Sequence, residues 1–264
     1  MVIILEIKNL TIQYGQQDAS VENFNLTMEK GEIVGIVGES GSGKTTVIRA
    51  IIGALAGTGQ ITGGDIRFDR CSVLGKSNED WRKLRGTKIP MIFQDCGGTL
   101  NPIRKIGRQY VEYICIHSSM SKQEAWEKAC NMLTKMRLPY AGNIMNSYPH
   151  QLSGGMCQRV GIAMAMTFEP ELLLADEPTS ALDVTTQAQI VKEMMELRDR
   201  FNTAIIIVTH NLGVASYMSD HIVVMQHGKV VDQGSKGEVL VHPSSEYTKQ
   251  LILAIPKMGG SRFV

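Results

Sequence analysis

The chain has 264 residues, 43% of them hydrophobic, which is enough for one substantial core or for a core with a smaller lobe. With 27 basic and 26 acidic residues the net charge is +1, so no global field favours nucleic acid or acidic lipid. No apolar run approaches the roughly 18 residues of a membrane-spanning helix, and the first residues lack the basic start of a signal peptide. We therefore expect a chain that stays in the cytoplasm.

The five cysteines are odd in number, scattered and never in C-x-x-C spacing, so we expect reduced structural thiols rather than a disulfide frame or a zinc site. The 15 methionines include several at helical spacing, and these are expected to pack a core rather than bind metal.

The first part of the chain is rich in strand-forming residues. Alternating patterns predict strands at 3–7, 10–14 and 24–28, and so an antiparallel layer. Apolar residues 33–37 predict a buried strand, and residues 47–55 predict a helix. The glycine-rich residues 57–64 are expected to form a flexible connection into short strands at 65–68 and, after a basic helical turn at 81–85, at 88–93.

A glycine-rich loop stands between the buried strand and the first helix. Its residues, Gly38-Glu39-Ser40-Gly41-Ser42-Gly43-Lys44-Thr45-Thr46, fit the pattern G-x-x-x-x-G-K-[ST]. Glycines allow backbone N–H groups to approach phosphate oxygens, and the helix N-terminus adds a partial positive charge. Lys44 would reach the β- and γ-phosphates, and the Thr45 hydroxyl would hold Mg²⁺. The pattern favours a nucleotide site over a structural turn.

Residues 95–158 change to a purely helical pattern. Helices are predicted at 106–117 and 122–136, the second opening with a capping box formed by Ser121 and Glu124. A helix at 156–167 follows Leu152-Ser153-Gly154-Gly155, a second helix start suited to an anion. Alone it would be an ordinary cap, but one nucleotide rarely needs two phosphate cradles, so it is expected to serve the nucleotide of a partner subunit.

The apolar run at 171–176 is typical of a strand buried on both faces in a parallel sheet. Ligands bind beyond the carboxyl ends of such strands, so Asp176 is expected to bind Mg²⁺ or its water, and Glu177 to act as general base. A pair of solvated strand-end acids is the alternative interpretation.

Two other polar residues end predicted strands. Gln94 can touch the metal and the attacking water, and His210, after the strand at 203–209, can donate to a γ-phosphate. A lone histidine is more often structural. Helices at 186–200, 212–218 and 246–254 and strands at 221–225 and 229–232 complete an alternating β/α pattern.

The order of these motifs resembles that of the ATP-binding cassette ATPases of membrane transporters. Tyr14, taken alone a half-exposed strand tyrosine, is similar to the family's adenine-stacking aromatic. The other matches are residues 38–45 to the Walker A loop, Gln94 to the Q-loop, residues 152–158 to the signature motif, residues 172–176 with Glu177 to Walker B and its catalytic base, Ser180-Ala181-Leu182-Asp183 to the D-loop, and His210 to the switch histidine.

The resemblance implies an α/β P-loop NTPase (RecA-like) core, formed by residues 1–94 and 159–240, with an N-terminal antiparallel layer, a helical lobe at 95–158 and a tail at 241–264. It implies Mg²⁺ and two ATP molecules clamped in a dimer between Walker A of one chain and Ser153, Gly154 and Gly155 of the other. It also implies two permease subunits, an indirect role for a solute-binding protein, no nucleic acid, and a peripheral place on the cytoplasmic face of the cell membrane.

Within that family, residues 93–95 and 99–102 and the tail with His242-Pro243 and Tyr247 are similar to the dipeptide, oligopeptide and nickel uptake group. Cys96, Cys157 and Asn211 depart from its usual residues. The tail has no cysteine, which is more like the nickel or metallophore branch, so either a metal chelate or a peptide is expected as cargo. The alternatives are a cassette acting on ribosomes or DNA, and a P-loop kinase or GTPase, which the signature motif disfavours.

Overall fold

The computed structural model describes residues 2–255 except 17, 95 and 181, together with the backbone of 257–258 and 261–262. The first elements are β1 (Ile3–Tyr14), β2 (Val21–Glu29), β3 (Ile33–Val37), α1 (Lys44–Ile51), β4 (Gly59–Phe68), β5 (Cys71–Ser72) and α2 (Asn78–Leu84). Next come β6 (Met91–Ile92), α3 (Cys96–Thr99), α4 (Ile106–His117), α5 (Lys122–Lys135), α6 (Ala141–Asn146), a 3-10 turn (Pro149–Gln151) and α7 (Gly154–Met166). The last are β7 (Leu172–Asp176), α8 (Val184–Phe201), β8 (Ala204–Thr209), α9 (Leu212–Met218), β9 (His221–Gln226), β10 (Lys229–Ser235), α10 (Lys236–Val241), α11 (Glu246–Leu253), β11 (Lys257–Met258) and β12 (Ser261–Arg262).

The chain divides into two compact units, residues 1–81 with 202–264, and residues 82–201. In the first unit, an antiparallel sheet has the strand order β2-β1-β4-β5, and this sheet is the antiparallel layer that the sequence predicts. Four more strands have the order β10-β9-β3-β8. β3 is paired in parallel with both β8 and β9, and all five of its residues are buried, which explains its unbroken apolar sequence.

Two predictions for the antiparallel sheet are wrong. The strands expected at 3–7 and 10–14 are one strand, β1, because a register shift between Ile7 and Leu10 accommodates Asn9 at a positive φ of 50°. Residues 59–64 are not a flexible connection but the start of β4. Gly64 lies so close to the Lys8 carbonyl that a Cβ would be 2.3 Å from its oxygen, so this glycine permits strand pairing rather than chain freedom.

The second unit contains helices α3–α8 and the parallel pair β6 and β7, in register at Met91 with Leu174 and Ile92 with Ala175. No strand occurs among the described residues from 96 to 158, and α4 has the predicted bounds. The capping box of α5 is also confirmed. α4 and α7 are joined through the buried Tyr110, whose hydroxyl lies 2.7 Å from the Thr167 Oγ1.

Candidate nucleotide-binding site

The glycine-rich loop connects β3 to α1 in the first unit. Gly43 is the N-cap residue of α1, with a left-handed φ of 99°, and it brings no side chain to that helix end. At Gly38 a Cβ would lie 2.1 Å from the Met225 carbonyl oxygen, so only glycine fits where β3 turns into the loop. The loop is therefore a tight backbone curve that ends at a helix N-terminus, which is an arrangement suited to phosphate.

Lys44 is enclosed by this curve. Its side chain is only 5% exposed, and its Nζ donates to the carbonyl oxygens of Gly38 at 2.7 Å and Glu39 at 2.6 Å. A third contact, of 3.4 Å, joins Nζ to the Ser42 Oγ. The Lys44 amino group is thus held inside the loop by backbone and hydroxyl oxygens, where it can pair with a phosphate oxygen.

His210 lies at the same edge of the strands as the loop. β3 and β8 are parallel, and Val37 and Thr209 are their last paired residues. Gly38 directly follows Val37, and His210 directly follows Thr209. His210 is exposed, and Asn211 after it caps α9 by accepting from the backbone N of Gly213 at 2.9 Å. The substitution of asparagine here therefore keeps a helix cap.

Tyr14 is the last residue of β1 and is half-buried opposite Gly59. A Cβ on Gly59 would lie 2.7 Å from the Tyr14 ring, so the ring covers this glycine. The contact shows a structural use for Tyr14, and its stacking on adenine stays a prediction.

In the second unit, Gln94, Asp176 and Glu177 lie at one strand edge. Asp176 ends β7, and Gln94 follows β6, which is parallel to it. The Gln94 Nε2 donates to the Glu177 Oε2 over 3.5 Å, a long hydrogen bond. The structure therefore brings three of the predicted site residues together, and their roles stay predictions.

Glu177 has a positive φ of 44°, which costs about 1–2 kcal/mol for a residue with a side chain. Its carbonyl oxygen accepts from both the backbone N and the Oγ of Ser180, each at 3.2 Å, and this turn offsets the strain. The backbone therefore leaves the extended conformation directly after Asp176, the last residue of β7. Of the predicted D-loop, Ala181 lies outside the described residues.

The signature residues begin α7. Ser153 is its N-cap and accepts from the Met156 backbone N at 3.3 Å, so the helix starts two residues before the predicted 156. Ser153 and Gly154 are exposed, whereas a Cβ on Gly155 would lie 2.7 Å from the Thr186 Cγ2 on α8. The signature residues and the segment after Glu177 therefore touch within this unit.

Three features of the site have no signal in the sequence motifs. Thr186 supports Gly155, and it also holds Asp183 through hydrogen bonds that lower the pKa of that carboxyl. Arg159 on α7 is paired with the buried Glu193 on α8 at 2.9 Å. Tyr247 in the tail accepts a hydrogen bond from the backbone N of Glu39 in the phosphate loop, at 2.9 Å.

Among the described residues, no group of three or more histidine, cysteine, aspartate or glutamate side chains is arranged to hold a metal ion. Such an all-protein cage is not the usual setting for Mg²⁺, which is bound by one or two protein oxygens together with substrate phosphates.

In the part of the chain that the structure describes, no helix combines the length and apolar character needed to cross a lipid bilayer.

A buried parallel strand that leads through G-x-x-x-x-G-K-[ST] into a helix defines a P-loop NTPase. The chain belongs to the ABC transporter family, whose model matches residues 21–180. It is 42% identical to the oligopeptide transport ATP-binding protein OppD of Haemophilus influenzae, over 98% of this chain and 80% of that protein. It is 40% identical to the dipeptide transport ATP-binding protein DppD of Lactococcus lactis, over 98% of this chain and 75% of that protein.

Solved structures agree with this membership. One is a dimeric post-hydrolysis state of an ATP-binding cassette bound to ADP and Pi, with a TM-score of 0.78 and 29% identity over 88% of this chain and 99% of that one. Another is cbiO1 from Clostridium perfringens, part of the ABC transporter complex cbiONQ, with a TM-score of 0.79, 26% identity and 97% of each chain covered. The predicted family, the fold class and the assignment as an ABC transporter ATPase are confirmed.

Proposed function

We propose that this chain is the ATP-hydrolysing subunit of an importer for di- or oligopeptides. The observation that carries the ATPase role is the Lys44 ammonium held inside the phosphate loop, at the strand edge that also bears His210. Peptide cargo is supported by the names of relatives that align over nearly the whole chain. Nickel or a metal chelate, expected from the short tail, has no such support, and neither does a ribosome- or DNA-acting cassette.

The residues that hold the nucleotide have distinct roles in this proposal. The loop amides and Lys44 bind the phosphates, and Tyr14 stacks on adenine. Thr45 offers a hydroxyl oxygen, Asp176 a carboxylate oxygen and Gln94 an amide oxygen, and each is a type of ligand that Mg²⁺ accepts when it is bound with a nucleotide. That ion would neutralise charge that develops on the phosphate oxygens.

Catalysis in this proposal is mainly positioning and charge stabilisation. Glu177 orients the attacking water and accepts its proton, with Gln94 hydrogen-bonded to the same carboxylate. His210 donates to the γ-phosphate, and Lys44 stabilises the charge that forms there. The left-handed backbone at Glu177 supports this role, because strained backbone conformations of this kind cluster at active sites.

We also propose that two chains close over two ATP molecules. Ser153 and Gly154 are exposed at the start of α7, where a partner's γ-phosphate would meet a helix N-terminus. A similar cassette has been solved as a dimer with ADP and Pi.

The permease subunits would dock on the second unit. A groove of about 820 Å³ lies along α4 and α5, and its rim carries Ile103, 82% exposed, and Ile116, 51% exposed. Four basic residues also line it, Arg104, Lys105, Arg108 and Lys122, together with Glu112, which is paired with Arg104. An apolar surface of this kind beside basic side chains suits a partner helix with one apolar face and an acidic end. Docking there would place the chain on the cytoplasmic face of the cell membrane, and a solute-binding protein would deliver the cargo from the other side.

The test is Glu177→Gln, which keeps shape and removes the base. We expect Mg·ATP binding within about threefold of wild type and hydrolysis reduced by about 10²–10⁴-fold. Glu127→Gln, an exposed carboxylate on α5, is the matched control and should be active. Normal turnover in the Glu177 variant would remove this residue from the mechanism.

The same variant tests the dimer, because slow hydrolysis leaves ATP in place. Light scattering should show a dimer for Glu177→Gln in Mg·ATP and a monomer when Ser153→Arg is added, since the arginine occupies the helix start. An unchanged dimer fraction in the double variant would refute the shared site.

A further inference from the structure

The C-terminal tail reaches the phosphate loop through one side chain. Tyr247 lies on α11, and its hydroxyl accepts a hydrogen bond of 2.9 Å from the backbone N of Glu39, which is 208 residues away in the sequence. The Tyr247 side chain is 8% exposed. Burial raises the pKa of its hydroxyl, while the Glu39 N–H opposes that shift, so the group is a neutral hydroxyl at physiological pH.

The Glu39 N–H and the Gly38 carbonyl belong to one planar peptide unit. The N–H side of this unit is held by Tyr247, and the carbonyl side accepts from the Lys44 Nζ at 2.7 Å. The next carbonyl, that of Glu39, is also bonded to Lys44. Rotation of the peptide would therefore break the tail contact and displace an acceptor that fixes the Lys44 ammonium.

α11 is itself held firmly in place. The Asp232 Oδ2 on β10 accepts from the backbone N of Ser244 at 2.8 Å and of Ser245 at 3.1 Å, just before the helix. Ser245 then caps α11 by accepting from the Thr248 backbone N at 3.0 Å. Because these bonds fix the start of α11, Tyr247 is presented to the loop in a defined position.

The Tyr247 ring also packs behind the loop. It belongs to a buried cluster with Val37, the last residue of β3, and with Leu212 and Ala215 on α9. Val37 leads directly into Gly38, and α9 follows His210. The tail therefore contacts both elements from which the predicted phosphate-binding residues of this unit project.

We propose that Tyr247 is a positioning residue for nucleotide binding, which orients the Gly38–Glu39 peptide and through it the Lys44 ammonium. This inference rests on the proposed role of Lys44 as a phosphate ligand. It extends the nucleotide site to a segment that contains none of the phosphate-binding motifs. Tyr247 acts through the loop and does not itself touch the phosphates.

The experiment is Tyr247→Phe, which removes the hydroxyl and keeps the ring in its cluster. The hydroxyl contributes one hydrogen bond, so we expect the Kd and KM for Mg·ATP to rise by about 3- to 10-fold. The kcat at saturating ATP should change by less than about twofold, because the hydroxyl bonds to the loop backbone and not to a proposed catalytic side chain. Hydrogen exchange in peptides that cover residues 33–43 should become faster.

Tyr217→Phe is the matched control, since Tyr217 lies on α9 of the same unit and is 60% exposed. It should leave Kd, KM and kcat unchanged. An unchanged Kd in Tyr247→Phe overturns the inference. A lower kcat together with a lower melting temperature, at an unchanged KM, also overturns it, because that is the result of a purely structural role. Failure of the wild-type chain to bind Mg·ATP would instead defeat the proposed function, so the two failures are distinguishable.

Discussion

The close packing of Thr186 against Gly155 allows us to predict how much stability a side chain at position 155 would cost. A Cβ at position 155 would lie 2.7 Å from the Thr186 Cγ2, whereas carbon atoms in ordinary contact are about 3.5–4.0 Å apart. Gly155→Ala therefore requires a movement of about 1 Å. Thr186 cannot easily provide it, because its Oγ1 donates to the Asp183 Oδ2 at 2.6 Å and its backbone N donates to Oδ1 at 3.0 Å.

The magnitude follows from two opposing effects. Overpacking costs about 1–3 kcal/mol, and replacing a helical glycine by alanine returns at most about 1 kcal/mol. Because the overpacking energy exceeds the gain in helix propensity, we expect the free energy of unfolding to fall by about 1–2 kcal/mol. For a chain of this size that corresponds to about 2–8 °C in melting temperature. ATP hydrolysis should fall as well, since the clash lies where the signature helix begins.

The compensating change is Thr186→Ser, which removes Cγ2 and keeps the hydroxyl that binds Asp183. Calorimetry and ATPase rates should show that Thr186→Ser alone is near wild type and that the Gly155→Ala/Thr186→Ser double variant regains most of the lost stability. An unchanged melting temperature in Gly155→Ala would refute the contact as the cause. A double variant that stays as unstable as Gly155→Ala would refute it equally.

Two further predictions concern the second unit. Hydrogen bonds from the backbone and side chain of Ser121 lower the pKa of Glu124, so its ionised form contributes stability that is complete above the ordinary carboxyl pKa and is lost as pH falls through the lowered value. Glu124→Gln should melt below wild type at neutral pH, and calorimetry should show the two converging as the pH falls below the ordinary carboxyl pKa, with Glu127→Gln as control. A difference that does not change with pH would contradict this. Ile103→Asp on the groove rim should abolish copurification with the permease subunits and leave basal hydrolysis intact, whereas retained copurification would argue against that docking surface.

The sequence was informative where structure depends on neighbours in the chain. The buried strand at 33–37 and the helix at 106–117 have the predicted bounds, because continuous burial and helical periodicity are local signals. The residues 59–64 were misjudged for the opposite reason. Six residues rich in glycine resemble a linker, but β1 pairs with them, and Gly64 is required by the nearby Lys8 carbonyl.

The same limit applies to the site. The place of the glycine-rich loop between β3 and α1, and that of Asp176 and Glu177 at the end of β7, could be predicted because both follow local sequence patterns. Tyr247 could not, because nothing in the tail sequence indicates that a hydroxyl will meet a peptide 208 residues away. Contacts of this kind depend on the packing of α11, which is a tertiary property.

At Gly38 and Gly155, packing constrains a residue whose proposed role is contact with a ligand. Each lies in a motif that phosphate binding explains, yet each also has a protein neighbour that excludes a side chain, the Met225 carbonyl for Gly38 and the Thr186 methyl for Gly155. We therefore expect a substitution at either glycine to displace the surrounding backbone, whether or not a ligand contact is also lost. A double substitution, at the glycine and at its protein neighbour, separates the effect of packing from that of ligand contact. It is possible for Gly155, because the Thr186 methyl group can be removed, but not for Gly38, because the Met225 backbone carbonyl cannot.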